Sequence, residues 1–252
     1  MSFKLIIPAA GAGSRFSKNG WKNPKPFIDL NNKPLLQHVI DNLGDSSENI
    51  TVILQEKYKD YISLLENPDD LDIKYVNGLT DGTLCTVLDS LELEQDQPIV
   101  IANSDQLLNI DMKNFINNIN NNDLDGSIVV FKDKTLNPKW SFAKINKYGH
   151  VTKVAEKDPI SNLATVGVYY FKSFFDFKKY ANKLISNNER VNNEFYVCPV
   201  YNYLIDAGGK VGVYEIDVSD MMALGTPEDF RMHVEKFDYE ISKDDPNEKT
   251  NN

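Results

Sequence analysis

Gly11, Gly13, Arg15 and Lys25 stand close together near the start of the chain, and Ala9, Ala10, Ala12 and Ser14 complete a loop of small residues around the glycines. The loop follows Leu5-Ile6-Ile7-Pro8, an apolar run that reads as a short buried strand. Gly11 and Gly13 let the backbone approach a ligand closely and reach positive φ without steric cost. Their N–H groups can then converge on an anion. A guanidinium at the far end of the loop, and an ammonium in Pro24-Lys25-Pro26, add the charge that a nucleoside triphosphate requires.

Two other meanings of a glycine loop after a strand fail on residues. A P-loop carries Lys-Ser or Lys-Thr directly after its last glycine, and none follows Gly13. A dinucleotide fingerprint places a third glycine where Phe16 stands, because strand and helix pack closely there.

The pattern GxGxRF followed by PKP resembles the nucleotidyltransferases that make activated sugars and related head groups, the NDP-sugar pyrophosphorylase-like family. Further landmarks continue the resemblance along nearly the whole chain: 81-DGTLCTVL-88, 99-IVIANSDQ-106, 154-VAEK-157, 166-VGVYYF-171 and 224-LGTPED-229. The resemblance implies a nucleotide-diphospho-sugar transferase fold, an α/β architecture in which helices sandwich a mixed, mainly parallel Rossmann-like sheet. It implies a reaction in which an acceptor phosphate oxygen attacks the α-phosphorus of a nucleoside triphosphate and pyrophosphate leaves.

Roles carry over residue by residue. Ala9 through Arg15, with Gly82, Thr83 and Ser104, would hold the nucleotide, Arg15 at the β/γ end and Gly82 letting the backbone read the base edge. Lys25 would bridge to the α-phosphate, and Lys157 would bind the acceptor phosphate beside Glu156 and Gly167. Arg15, Lys25 and Lys157 are thus the expected catalytic cations. Asp105, past the apolar strand Ile99–Ala102, would hold Mg²⁺, a hard ion suited to carboxylate and phosphate oxygens. Sugar-phosphate members commonly carry a second aspartate where this chain has Ala223, and Asp220 is the nearest substitute. The segments at 81–88 and 224–229 look closest to bacterial capsule-locus cytidylyltransferases, such as CTP:phosphoglutamine cytidylyltransferase. CTP is therefore the favoured substrate, with other pyrimidine triphosphates open. The acceptor would be a phosphorylated sugar, amino-acid derivative or polyol.

A phosphate monoester has its second pKa near 6 and needs no general base at neutral pH. None of His38, His150 and His233 lies in a catalytic-looking motif. Two rival readings are a glycosyltransferase, for which Asp70-Leu71-Asp72 and Asp123-Leu124-Asp125 fit the D-x-D string, and a non-catalytic nucleotide-binding regulator, suggested by Ala223. Both D-x-D strings precede strands rather than ending them.

These residues need a scaffold. Alternating apolar strands and helical stretches predict βαβ units. Strands are expected at Leu5–Ile7, Thr51–Leu54, Ile73–Val76, Ile99–Ala102 and Ser127–Phe131. Helices are expected at Leu35–Asn42, Lys57–Glu66 and Thr83–Leu91. A hairpin of Phe142–Ile145 with Val151–Ala155 turns at a glycine loop, and Thr165–Phe171 follows it. Helices at Ser173–Ile185 and Phe195–Ala207, the strand Val211–Ile216, and a helix capped by Thr226 with Pro227 at its first position complete the chain. Residues 1–241 read as one domain, with a nucleotide half (1–132) and an acceptor half (133–241) that no linker separates. Residues 242–252 are polar and charged, an expected disordered tail.

The 252 residues carry a net charge of −10, which excludes a basic nucleic-acid surface and makes the clustered cations more telling. No apolar run approaches membrane-spanning length, and the opening apolar stretch is short for a signal segment. Cys85 and Cys198 make no disulfide framework, so a cytoplasmic setting is expected. The base, the acceptor and the oligomeric state, a homo-oligomer included, stay open.

Overall fold

A computed structural model describes residues 2–236. In chain order it contains β1 (Lys4–Pro8), the helical turn α1 (Ser14–Lys18), the ribbon β2 (Asp29–Leu30) and β3 (Lys33–Pro34), α2 (Leu35–Gly44), β4 (Asn49–Gln55), β5 (Asp72–Val76), α3 (Thr83–Ser90), β6 (Ile99–Ala102) and β7 (Gln106–Leu108). Next come α4 (Met112–Asn122), β8 (Gly126–Lys132), β9 (Ser141–Ile145), β10 (Val151–Glu156), β11 (Leu163–Phe171), α5 (Phe174–Ser186), α6 (Val200–Asp206), β12 (Val211–Glu215), β13 (Met221–Ala223) and α7 (Pro227–Lys236). The expected tail, 242–252, lies outside the described residues.

The main sheet runs β10-β9-β11-β6-β1-β4-β5, and β8 joins β11 to β12 off that path. β6, β1, β4 and β5 pair in parallel. β11 is antiparallel to β6, β8 and β9. The result is a mixed α/β sheet flanked by helices, parallel where the first glycine loop leaves it.

Apolar residues bury both sheet faces, which explains the near-continuous apolar strands. Leu5, Ile7, Val52, Leu54, Val100 and Ala102 enter one core, while Ile6, Ile53, Ile99 and Ile101 enter the other. α2 lays Leu36, Val39, Ile40 and Leu43 on the first face, and α5 lays Phe174, Phe177, Ala181 and Leu184 on the second. That is the 3.6-residue period of an amphipathic helix. Ser173 caps α5 by accepting from the Asp176 N–H.

Three expectations change. The stretch expected as a helix at Lys57–Glu66 is a run of 3₁₀ turns over Glu56–Leu64. The helix expected from Phe195 begins only at Val200. Phe195 is kept out of the helix because its N–H donates to Asp81 O at 2.8 Å and its carbonyl accepts from Leu84 N at 3.1 Å. Gly11 is not among the positive-φ residues, whereas Gly13 takes φ +59°. The small ribbon of β7 against β13 was not expected at all.

Candidate active site

β1 lies between β6 and β4, so the loop after Pro8 leaves the middle of the parallel strands at their carboxyl edge, where open α/β sheets bind ligands. The Ala9 N–H donates to Ile53 O at 2.8 Å. Gln55 Nε2 at the end of β4 donates to Ala10 O at 2.7 Å and Gly11 O at 3.1 Å, which pins the loop from beneath. Phe16 anchors α1 in an edge-on aromatic cluster with Trp21 and Phe230. The loop thus opens a cleft of about 470 Å³. An added Cβ at Gly11 meets nothing within 4 Å, so that glycine keeps the cleft wall free rather than relieving a turn.

Of the expected nucleotide residues, Ala9, Gly11, Ala12, Gly13, Ser14, Arg15, Lys25, Thr83 and Ser104 line this cleft. Arg15 is exposed and belongs to none of the ion pairs found among the described residues. Ala10 and Gly82 are not on the wall. Gly82 has φ +124°, and a Cβ there would sit 2.4 Å from Phe195 O. Its missing side chain permits that close packing at the start of α3.

Across the loop, Lys25 Nζ pairs with Asp105 Oδ2 at 2.5 Å and lies 3.5 Å from Gly225 O. The Leu224 N–H holds Asp105 O at 2.8 Å. Gly167, φ +77°, accepts from Asn103 N at 2.9 Å, and a Cβ there would meet the Asn103 side chain at 2.1 Å. Gly167 therefore shapes the strand end carrying Ser104 and Asp105 while also lining the cleft.

The far end of the cleft is built by β9, β10 and the segment before α6. Strand register puts Glu156 opposite Ser141, and the Ser141 hydroxyl donates to the Glu156 carboxylate. Burial pushes the Glu156 carboxyl above its ordinary value, with nearby Glu194 adding to it; Ser141 and Lys157 oppose the rise. Lys157 takes a left-handed φ of +55°, a conformation that costs a non-glycine residue about 1–3 kcal/mol. Its N–H donates to Trp140 O at 3.0 Å. Lys157 Nζ donates to Tyr196 Oη at 2.5 Å and lies over that ring, and Tyr196 Oη donates to Glu194 at 2.7 Å. This relay holds one ammonium at the cleft's far end. Cys198 also borders the cleft, but burial raises its thiol well above the ordinary range, so it is no nucleophile.

Asp220 does not join Asp105. The pairing of Ala223 with Gln106 sets Asp220 farther along, beyond Met221 opposite Leu108, outside the cleft lining. There it closes a capping box with Asp217 and accepts from Asn109 Nδ2 at 3.0 Å. Neither D-x-D string lines the cleft, nor does any of the three histidines. Asp72 instead bridges Lys4 and Lys74.

The sequence missed Gln55, Gln106, Lys139, Ser141, Glu194, Tyr196 and Asp229. Lys139 and Asp229 pair at 3.5 Å across the cleft rim. Hairpin register signals Ser141 once Glu156 is chosen; the others depend on long-range packing.

Among the described residues no three carboxylates, histidines or cysteines gather into a cage. A single carboxylate at a cleft nevertheless suits Mg²⁺, which takes one or two carboxylates and completes its shell with phosphate oxygens and water. Asp105 fits that role.

A glycine-bearing loop at the carboxyl edge of parallel strands shares one cleft with a lysine-bearing far end, in a mixed α/β fold flanked by helices. The chain belongs to the nucleotidyl transferase family, whose profile matches residues 4–201. It is 25% identical over 233 residues to the UTP–glucose-1-phosphate uridylyltransferase AglF of Haloferax volcanii, covering 90% of this chain and 93% of that one. It is 30% identical over 176 residues to the bifunctional protein GlmU of Methanocaldococcus jannaschii; the match covers 68% of this chain and only 40% of the relative's length. The nucleoside-diphosphate-sugar pyrophosphorylase of Vibrio cholerae RC9 superposes with a TM-score of 0.77 at 24% identity, covering 92% of this chain and 99% of that one. No helix among the described residues is long and apolar enough to cross a membrane.

Proposed function

We propose that the chain joins a pyrimidine nucleoside triphosphate, CTP the favoured one, to a small phosphorylated acceptor and releases pyrophosphate. The acceptor is a sugar phosphate or a phosphorylated amino-acid derivative or polyol. The product serves surface or capsular polysaccharide synthesis from the cytoplasm. The observation that carries this reading is one cleft receiving the Ala9–Arg15 loop, the Lys25–Asp105 pair and the Glu156–Lys157 pair together. AglF, similar over most of both chains, is by name a UTP–glucose-1-phosphate uridylyltransferase, which supports the reaction type and a pyrimidine triphosphate. The preference for CTP rests on the segments at 81–88 and 224–229.

The chemical obstacle is repulsion between two polyanions. Two unit charges 4 Å apart interact by about 4 kcal/mol at an effective dielectric near 20, so several fixed cations must act together. The loop N–H groups and Arg15 hold the β- and γ-phosphates. Lys25 moves from Asp105 to the α-phosphate, where charge grows as the acceptor oxygen attacks. Lys157, fixed by Tyr196, aligns the acceptor phosphate, and Glu156 takes a hydroxyl or amine on its body. Mg²⁺ held by Asp105 supplies further positive charge to the phosphates when bound. No side chain needs to remove a proton, because the attacking phosphate is already dianionic at neutral pH.

A pyrophosphate-release screen crossing CTP, UTP, dTTP, GTP and ATP with phosphorylated sugars, polyols and amino-acid derivatives tests this. Magnesium-dependent release with CTP and at least one acceptor is expected. Release with no pair, or a nucleoside diphosphate as product, overturns it.

A further inference from the structure

Gln106 opens β7 and lies directly across the ribbon from Ala223 of β13. Both border the cleft, as does the neighbouring Asp105. Gln106 is 8% exposed, yet its Oε1 receives no hydrogen bond from any described residue. A buried oxygen left without a partner is costly, and such an atom on a residue bordering a ligand cleft points to a partner that arrives through the cleft.

The surroundings define that partner. Residues directly opposite in an antiparallel ribbon share a face, with Cβ atoms about 4.5–5.5 Å apart. Gln106 and Ala223 therefore share one face at the cleft wall, and a turn of the Gln106 side chain would bring its oxygen to the ground where position 223 carries only a methyl. A carbonyl oxygen one residue from Asp105, whose carboxylate borders the same cleft, repels phosphate oxygens, so an anion is the poorer fit. A hard divalent cation accepts both, since carboxylate, carbonyl and water oxygens together suit Mg²⁺ and Mn²⁺. We propose that Gln106 Oε1 is a second protein ligand of the divalent cation held by Asp105, a neutral oxygen where a second carboxylate is absent at position 223. The inference rests on the metal-nucleotide reading given above. With a single protein carboxylate, the ion enters together with the triphosphate rather than before it.

Mn²⁺ affinity in the complex of the full chain with CTP, read from the electron paramagnetic resonance signal of free Mn²⁺ and corrected for CTP alone, tests this. Gln106→Met keeps the volume and removes the oxygen. It should weaken Mn²⁺ binding at least about 10-fold, a loss already seen when groups that only support metal ligands are removed. Gln106→Glu should bind Mn²⁺ more tightly than wild type. Ala223→Asp added to Gln106→Met should recover the affinity. Wild-type affinity in Gln106→Met overturns the assignment. So does loss of both Mn²⁺ and CTP in Gln106→Glu, because an N–H would then be facing a phosphate. Should Gln106→Met not fold, Gln106→Glu decides alone: tighter Mn²⁺ upholds the role, and unchanged or weaker Mn²⁺ sinks it. Pyrophosphate release by the wild type, measured in parallel, separates the two levels. An active wild type with an indifferent Gln106 discards only this ligand, whereas a wild type holding neither CTP nor Mn²⁺ discards the metal-nucleotide reading as well.

Discussion

Lys25 stands between two prolines at the start of a 3₁₀ turn, its ammonium already aimed across the cleft at Asp105. In the proposed mechanism it is the fixed charge that serves the α-phosphate. Lys25→Ala should lower kcat about 100- to 1000-fold, the scale of a lost electrostatic donor, with the melting temperature little changed; steady-state pyrophosphate release measures it. Glu156 gives a pH signature. Burial raises its carboxyl pKa above the ordinary 4.5, so the folded chain holds that proton more tightly than the unfolded chain. Its stabilising effect is complete below that value and is lost as pH climbs through the raised one. The melting temperature of Glu156→Gln, relative to wild type, should therefore rise from pH 4 to pH 8, and a difference independent of pH would contradict the assignment. Arg15, Lys25 and Asp105 were legible because each sits in a short motif against a strand end. Gln106, Glu194 and Tyr196 were not, since nothing local shows that β13 lies across from Gln106 or that the chain before α6 folds back over Lys157.

At the scale of elements, Gly82 couples two segments far apart in sequence. Its backbone, at φ +124°, lies where only a missing Cβ permits contact with Phe195. Gly82→Ala should cost about 1–3 kcal/mol from strain alone, more with the clash, and should raise KM for the nucleotide by displacing Thr83. Chemical denaturation and initial rates check both. Gly149→Ala, at φ +82° with nothing within 4 Å of the added Cβ, should cost less and leave KM alone. The same contact explains why the helix expected from Phe195 starts later: the Phe195 backbone groups bond with Asp81 and Leu84 instead. Helices without such competition fell where their period placed them, α5 behind Ser173 and α7 behind Thr226, whose hydroxyl accepts from Asp229 N at 3.1 Å. α6 also ends as expected: the Gly208 and Gly209 N–H groups donate to Ile205 O and Leu204 O, a Schellman closure.

For the molecule as a whole, β11 ties together the halves read from the sequence. It pairs with β6 of the first half and with β8 and β9 around it, every residue buried. A single cooperative unfolding transition should follow, with calorimetric and van't Hoff enthalpies equal; two separated transitions would show that the halves are independent domains. The chain's net charge of −10 frames the functional claim, since the cleft sets Arg15, Lys25, Lys139 and Lys157 beside the carboxylates of Asp105, Glu156, Glu194 and Asp229, a lining of balanced charge in an acidic molecule. The most direct measurement follows the label of nucleoside triphosphate, radioactive at either the α- or the γ-phosphorus, through turnover with a phosphorylated acceptor. Attack at the α-phosphorus predicts α-label joined to the acceptor and γ-label in pyrophosphate. Label retained in a nucleoside diphosphate, or untouched triphosphate with every acceptor, would contradict it.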